Sequence, residues 1–222
     1  MDELRLREIL AGFDQAKILV VGDFFLDRYM VVDRQLSETS LETGLEAYQV
    51  VEVRCSPGAA GTVTSNLRAL DVDVTALGVI GDDGEGYELR RGLEQRSVHL
   101  DPLICRDGLF TPTYTKPMMR EPDGREHELN RLDIKNRTPL PAPVEAQIVE
   151  RLKTHVPQMD GVVIIDQVEE RNCGVITDRV REEISRLARK YHDVIFAADS
   201  RARIGLFRDV IITPNEREAV RA

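Results

Sequence analysis

Apolar residues along the chain fall into short unbroken runs separated by longer stretches of helical period. Residues 18–21 (ILVV) form one such run, closed abruptly by Gly22 and Asp23. A β-branched and leucine-rich run of this length fits a strand buried on both faces. Residues 161–165 (GVVII) end in the same way at Asp166, residues 194–198 (VIFAA) end at Asp199, and residues 73–80 (DVTALGVI) lead to Gly81 and Asp82. Residues 210–213 make a last strand. Between these runs the period changes. Residues 2–12 place Leu4, Leu6, Ile9 and Leu10 on one side with Gly12 as the stop. Further helices are expected through Val63, Leu67 and Leu70, over residues 87–96, 144–155 and 177–191 (Ile184 and Leu187 inward), and from Pro214 onward. Apolar strands alternating with helices predict a doubly wound α/β sheet.

Two regions break that alternation. Residues 30–55 lack helical period and contain alternating stretches such as YQVVEVRC. Residues 98–103 and 111–119 are strand-like, and the turn EPDG at 121–124 predicts a hairpin joining 113–119 to 126–132. These segments predict a small β lid, near 30–55 and 111–133, added to the main sheet. Ligands of open α/β sheets sit beyond the strands' carboxyl ends, which puts Asp23, Asp27, Asp82, Asp166 and Asp199 at the mouth of a site. Each also has a plain structural reading as a turn cap, or, for Asp27, as a partner of Arg28 or another cation. The small residues SPGAAG at 56–61 either let backbone N–H groups approach a ligand or allow tight helix-to-sheet packing. The glycines of GDDGEG at 81–86 have the wrong spacing for a dinucleotide loop, and two adjacent aspartates would repel a pyrophosphate.

Composition narrows the function classes. The 222 residues are 42% apolar and 31% charged, as in a folded protein of one or two domains. A net charge of −9 argues against nucleic acid or an anionic membrane as the main ligand. Cys55, Cys105 and Cys173 make neither a zinc pattern nor a disulfide framework, which fits a reducing compartment. No apolar run approaches the ~20 residues of a membrane span, and residues 2–10 have no signal-peptide core. A cytoplasmic location is expected.

Taken together, KILVVGDFFLDRY, PGAAGTVTSNLRALDVDVTALGVIGDDGEG, TYTKPMMREPDGREHELNRLD, ADSRARIGLF and ITPNEREA resemble the PfkB/ribokinase family of carbohydrate kinases. Within that family the likeness is to the kinases of heptose 7-phosphate. It runs through nearly the whole chain in the family's order. It implies one ribokinase-like domain over residues 1–222, incomplete at its carboxyl end. The alternating, partly apolar stretch Tyr48 to Val53, which a lone small sheet could not bury, predicts that the lid pairs with a second copy in a homodimer. The resemblance also implies ATP with Mg2+, and a sugar or sugar phosphate as acceptor. Asp27 matches the aspartate that binds sugar hydroxyls. Gly58 and Ala59 fall on the family's Gly-Gly pair, and Thr62 falls on its substrate-contacting Asn. Lys116, Arg131 and Asp133 match the Thr-Lys and Arg-Leu-Asp segments, where a phosphorylated sugar would welcome a cation. Asp166 aligns with a Ser-Asp-Tyr segment. Asn215 and Glu218 reproduce the N-x-x-E motif, whose glutamate helps hold magnesium through water.

The chain departs from the family pattern at Ala59, whose methyl group sits where a sugar packs on backbone, and at Thr62, whose polar reach is short. Gln167 and Val168 also depart from it. The family's catalytic Gly-Ala-Gly-Asp loop lies downstream of N-x-x-E and outside these 222 residues, taking with it the base and the anion hole. The chain alone is therefore expected to be inactive in phosphoryl transfer and to leave an apolar sheet face uncovered. The alternative is a non-catalytic sugar-binding or dimerisation remnant of the fold.

Overall fold

The run at residues 18–21 becomes the centre of a five-stranded parallel sheet. In the computed structural model, which describes residues 2–222, the chain forms α1 (Glu3–Leu10), β1 (Lys17–Gly22), β2 (Phe24–Thr39), β3 (Glu46–Ala59), α2 (Ala60–Arg68), β4 (Asp73–Leu77), β5 (Val79–Gly81) and α3 (Gly84–Glu94). It continues with β6 (Ile104–Arg106), β7 (Thr113–Arg120), β8 (Glu126–Glu128), β9 (Leu132–Ile134), α4 (Ala142–His155), β10 (Gly161–Asp166), α5 (Asp178–Lys190), β11 (Ile195–Ser200), β12 (Ile211–Ile212) and α6 (Glu216–Arg221). The main sheet has the order β12-β11-β10-β1-β4, and all its pairings are parallel. A second sheet, β3-β2-β7-β8 with β9 also on β7, is the lid.

Burial on both faces explains why β1 reads as an unbroken apolar run. Leu19 and Val21 pack with Ile148 and Leu152 of α4 and Ile184 and Leu187 of α5. Val20 turns the other way, toward Ala60 of α2 and Leu89 and Leu93 of α3. Fully burying side chains of this size stabilises by about 1.5–3 kcal/mol each. The order reverses at β1: the chain places β4 on one side and β10 on the other, so the crevice between the ends of β1 and β10 is the ligand position of this fold class. Among the described residues no helix is long and apolar enough to cross a membrane.

Several elements differ from the sequence reading. The lid strand β2 starts at Phe24, one residue after the main sheet ends and earlier than the expected start near residue 30, so Asp27 lies within the lid. Residues 98–103 make only one bridge, His99 to Thr75, and the strand comes later, as β6. The strand expected over 73–80 breaks at Gly78, where a Cβ would sit 2.5 Å from the Phe24 ring. Val79 to Gly81 then pairs with β6 in a separate two-stranded sheet, which takes Asp82 away from the main sheet's edge. The α2 helix buries Ala60, Gly61 and Thr64 and leaves Leu70 48% exposed. Its small residues let it approach β3, since a Cβ on Gly61 would lie 2.5 Å from Pro57 Cβ. Helix α1 buries none of its side chains. The paired aspartates of GDDGEG have a structural job: Asp83 caps α3 through Gly86 N–H at 2.7 Å and receives Thr111 N–H at 2.8 Å.

Ala59, between β3 and α2, has φ 52° and ψ −116°. This left-handed region favours glycine, and an L-residue held there costs on the order of 1–3 kcal/mol. Part of the relief from replacing it is offset by the greater freedom of glycine in the unfolded chain. Ala59→Gly is expected to stabilise the protein by about 1 kcal/mol, read from urea unfolding midpoints at unchanged m-value. A lower midpoint would show that the backbone there is unstrained.

Candidate functional site

Asp23 is where the two sheets and the crevice meet. Gly22 has φ +150°, and a Cβ on it would fall 2.1 Å from Ile165 O, so the chain can leave β1 against β10 only through glycine. Asp23 follows, buried. Its Oδ2 accepts from Gln167 N (2.7 Å) and Val168 N (2.9 Å), and its Oδ1 from Val175 N (2.8 Å). Its own backbone accepts from Ala60 N and donates to Ile165 O, both at 3.0 Å. Burial pushes its carboxyl up to about 6, the three N–H groups pull against that, and the nearby Asp166 charge adds to the rise. Asp166, equally buried, spends its oxygens on Ser200 Oγ (2.6 Å) and on the Arg203 guanidinium (2.7 and 3.3 Å). Arg203 also donates to the Val168 and Glu169 carbonyls, so Asp166 anchors the segment after β10 and presents no free oxygen.

The lid brings Asp27, Gly58, Lys116, Arg131 and Asp133 together. β2 and β7 are parallel with Asp27 opposite Tyr114 and Tyr29 opposite Lys116, so these four share one face of the lid. Lys116 Nζ lies 2.8 Å from Asp27 Oδ1 and 3.2 Å from the Tyr29 hydroxyl, and 4.7 Å from the Tyr29 ring centroid. Burial pulls the Lys116 ammonium down, but the hydrogen bonds to Asp27 and Tyr29 outweigh it and leave it raised. Gly58 makes room for the carboxylate, because a Cβ there would lie 2.6 Å from Asp27 Oδ2. That second oxygen receives no hydrogen bond from the described residues. The Arg131 guanidinium stacks 4.0 Å from the Tyr114 ring centroid and grips Asp133 at 2.6 and 2.9 Å. Phe25 meets Tyr114 edge-on at 5.1 Å. Phe25 and Tyr114 also line a narrow slot of ≈ 40 Å³ with Asp23, Gln167, Gly174 and Val175, which turns this lid face toward the β1/β10 crevice.

Other expected site residues lie apart from that cluster. Thr62 is exposed on α2 and donates only to Pro57 O, at 3.5 Å. Asn215 and Glu218 line an open groove of ≈ 580 Å³ on the uncovered side of β10 and β11, with Asp199, Arg201, Thr213 and Gln167. There the N-x-x-E spacing is also a capping box: Asn215 Oδ1 accepts from Glu218 N (3.0 Å) and Glu218 Oε2 from Asn215 N (2.9 Å). Burial raises the Asp199 carboxyl, and the Glu218 charge raises it further. Two carboxylates in one open groove suit a hard cation. No group of three or more His, Cys, Asp or Glu side chains converges among the described residues. A Mg2+ here would therefore take its remaining ligands from phosphate oxygens and water. Tyr29, Tyr114 and Arg203 were not singled out in the sequence. The first two were within reach, since Tyr29 lies two residues from Asp27 and Tyr114 two from Lys116, which is the repeat of one strand face.

The architecture is that of the ribokinase-like sugar kinases. The Arabidopsis thaliana ribokinase complexed with ribose and ATP superposes with a TM-score of 0.60 at 18% identity, covering 93% of this chain and 62% of that one. A Thermotoga maritima protein described as a "Possible 1-phosphofructokinase" gives 0.64 at 17% identity, over 90% and 61%. In sequence the chain is similar to the bifunctional HldE proteins. It is 26% identical to that of Trichlorobacter lovleyi over 99% of this chain, and 28% identical to that of Citrifermentans bemidjiense over 96%. The chain spans 43% and 42% of the length of those two relatives. No family model matches the chain.

Because the folded-state carboxyl of Asp23 lies above its ordinary value of 3.8, folding takes up a proton in between, and this group's contribution to stability is lost as pH rises toward 6. Relative to the non-titrating Asp23→Asn variant, the unmutated protein should lose about 2 kcal/mol between pH 4.5 and 7. Urea unfolding of both proteins at both pH values measures this. A stability difference that is flat with pH would show that the three N–H groups hold Asp23 ionised throughout.

Proposed function

We propose that the chain is the sugar-facing part of an ATP-dependent carbohydrate kinase that phosphorylates a hydroxyl of a sugar or sugar phosphate, of the heptose 7-phosphate type. The observation that carries this is the half-buried Asp27 carboxylate. One of its oxygens is held by Lys116 and the other is open, on a lid face turned to the switch-point crevice. A carboxylate with a free oxygen accepts sugar hydroxyls, and tyrosine rings beside it supply an apolar platform. Lys116 and Arg131 give the same face the cations that a phosphorylated acceptor needs. ATP and Mg2+ belong to the groove of Asp199, Thr213, Asn215 and Glu218. There a water-mediated Glu218 contact would hold the metal by the nucleotide phosphates, and the metal would neutralise charge on them. A retained sugar-binding fold without catalysis draws on the same lid face and differs only in lacking turnover.

Asp27→Ala should weaken binding of sugars or sugar phosphates well over tenfold. Hydrogen bonds to a charged acceptor contribute about 1.5–3 kcal/mol each, and 1.4 kcal/mol is a factor of ten. Asp123→Ala, on the exposed hairpin turn, should be neutral. Calorimetric titration with hexoses, heptoses and their phosphates checks both. Equal affinities for Asp27→Ala and the unmutated protein would reduce Asp27 to a structural partner of Lys116.

The lid also supports a homodimer. β3 is the free edge of the lid sheet, and Tyr48, Val50, Val51 and Val53 on it are all exposed. An apolar edge strand invites pairing with a second copy. Light scattering at micromolar concentration should give twice the chain mass, and Val51→Lys should return a monomer. A monomeric unmutated protein would remove the lid as an interface.

A further inference from the structure

Two arginines that sit two residues apart after β11 have opposite situations. Arg203 is consumed by the fold, with its guanidinium on Asp166 and on the Val168 and Glu169 carbonyls. Arg201 is exposed and lines the open groove with Asp199, Thr213, Asn215 and Glu218. It is the one cation among the groove's lining residues. Its backbone N–H is fixed on Asp166 O at 3.1 Å, and its Nε donates to Gln167 Oε1 at 2.7 Å. Neither Nη atom has an acceptor among the described residues. Gln167 is itself held at both ends: its N–H donates to Asp23 Oδ2 at 2.7 Å and its Nε2 to Asp199 Oδ2 at 3.1 Å. The Arg201 side chain is thus tethered at its Nε by a glutamine that cannot swing, with its two outer nitrogens left for a ligand.

The groove's charges specify what that ligand is. A bare anion would meet Arg201 but also two carboxylates, Asp199 and Glu218, and would be repelled by them. A bare divalent cation would meet the carboxylates but also the guanidinium. A magnesium–polyphosphate carries both charges and satisfies both sets of groups, with the planar guanidinium suited to two oxygens of a phosphate. We infer that Arg201, positioned by Gln167, contacts the polyphosphate of a nucleotide bound in this groove. The inference rests on the kinase reading for the identity of the ligand. The residues that carry it, Gln167 and Arg201, lie outside those expected from the sequence to form the site.

Inorganic tripolyphosphate, which has neither base nor sugar, is the probe. It is titrated calorimetrically into the 222-residue chain with and without MgCl2. Binding is expected, and Mg2+ should strengthen it. Arg201→Ala should weaken it at least tenfold, Arg201→Lys should restore part of the loss, and Gln167→Leu should weaken it several-fold with the thermal midpoint unchanged. Arg125→Ala, an exposed cation on the lid hairpin, should bind like the unmutated protein. Equal binding by Arg201→Ala, an equal loss in Arg125→Ala, or no binding at millimolar tripolyphosphate would each overturn the inference. The kinase reading fails separately, through sugar binding that is absent or indifferent to Asp27. Tripolyphosphate binding that depends on Arg201 without any sugar binding would leave the anion contact standing and remove the kinase.

Discussion

The constraint on which the rest depends is the crossing at Gly22 and Asp23. The backbone must leave the central strand within van der Waals contact of the neighbouring strand, and only a glycine at φ +150° permits it. The buried carboxylate that follows collects three N–H groups from the segment after β10, while the Asp23 backbone carbonyl accepts from Ala60 at the start of α2. A buried carboxylate is costly unless its hydrogen bonds are satisfied, and here they are satisfied by backbone that has no other partner. The lid departs from one side of this knot and the groove opens on the other. Both candidate half-sites inherit their positions from it.

A division of labour among the acidic residues follows. Asp23 and Asp166 are structural: their oxygens are saturated by the backbone and by Arg203. Asp27 is half satisfied, with Lys116 on one oxygen and space on the other. Asp199 and Glu218 sit together in an open groove, where burial and the Glu218 charge raise the Asp199 carboxyl, a condition that a bound cation relieves. Degree of saturation, more than position at the sheet edge, separates carboxylates that hold the fold from those free to hold a ligand.

Much of the scaffold was legible because burial on both faces leaves an unmistakable apolar run, as in β1, and the apolar runs of β10 and β11 stand out although one of their faces borders the open groove. The lid hairpin was legible from its turn residues. What escaped has physical reasons. Residues 98–103 have strand-like composition but pack as a connection, with Val98 and Leu103 filling the α2/α3 side of the core. The helix α2 packs most closely through its smallest residues, Ala60, Gly61 and Thr64, with Val63 and Leu67 half-buried against the same core; Leu70 lies beyond its last turn and is exposed. Asp82 was placed on the main sheet because nothing local marks Gly78 as the point where the Phe24 ring displaces the strand. At the site, Asp27 and Lys116 were visible through their residue types, whereas their 2.8 Å contact depends on the pairing of β2 with β7, which sequence alone does not reveal. The N-x-x-E motif forms a helix cap, and the metal-side role proposed for its glutamate has the same spacing, so the sequence does not separate the two.

The central claim is that sugars bind on the lid face built around Asp27, against the β1/β10 crevice. Hydrogen–deuterium exchange on the intact chain, with and without a saturating sugar phosphate, reads that surface directly. The account predicts new protection confined to residues 23–29, 56–62, 113–118 and 131–134, with the hairpin turn at 121–125 unchanged. Protection that spares 23–29 and 113–118, or that appears only on the hairpin, would contradict it.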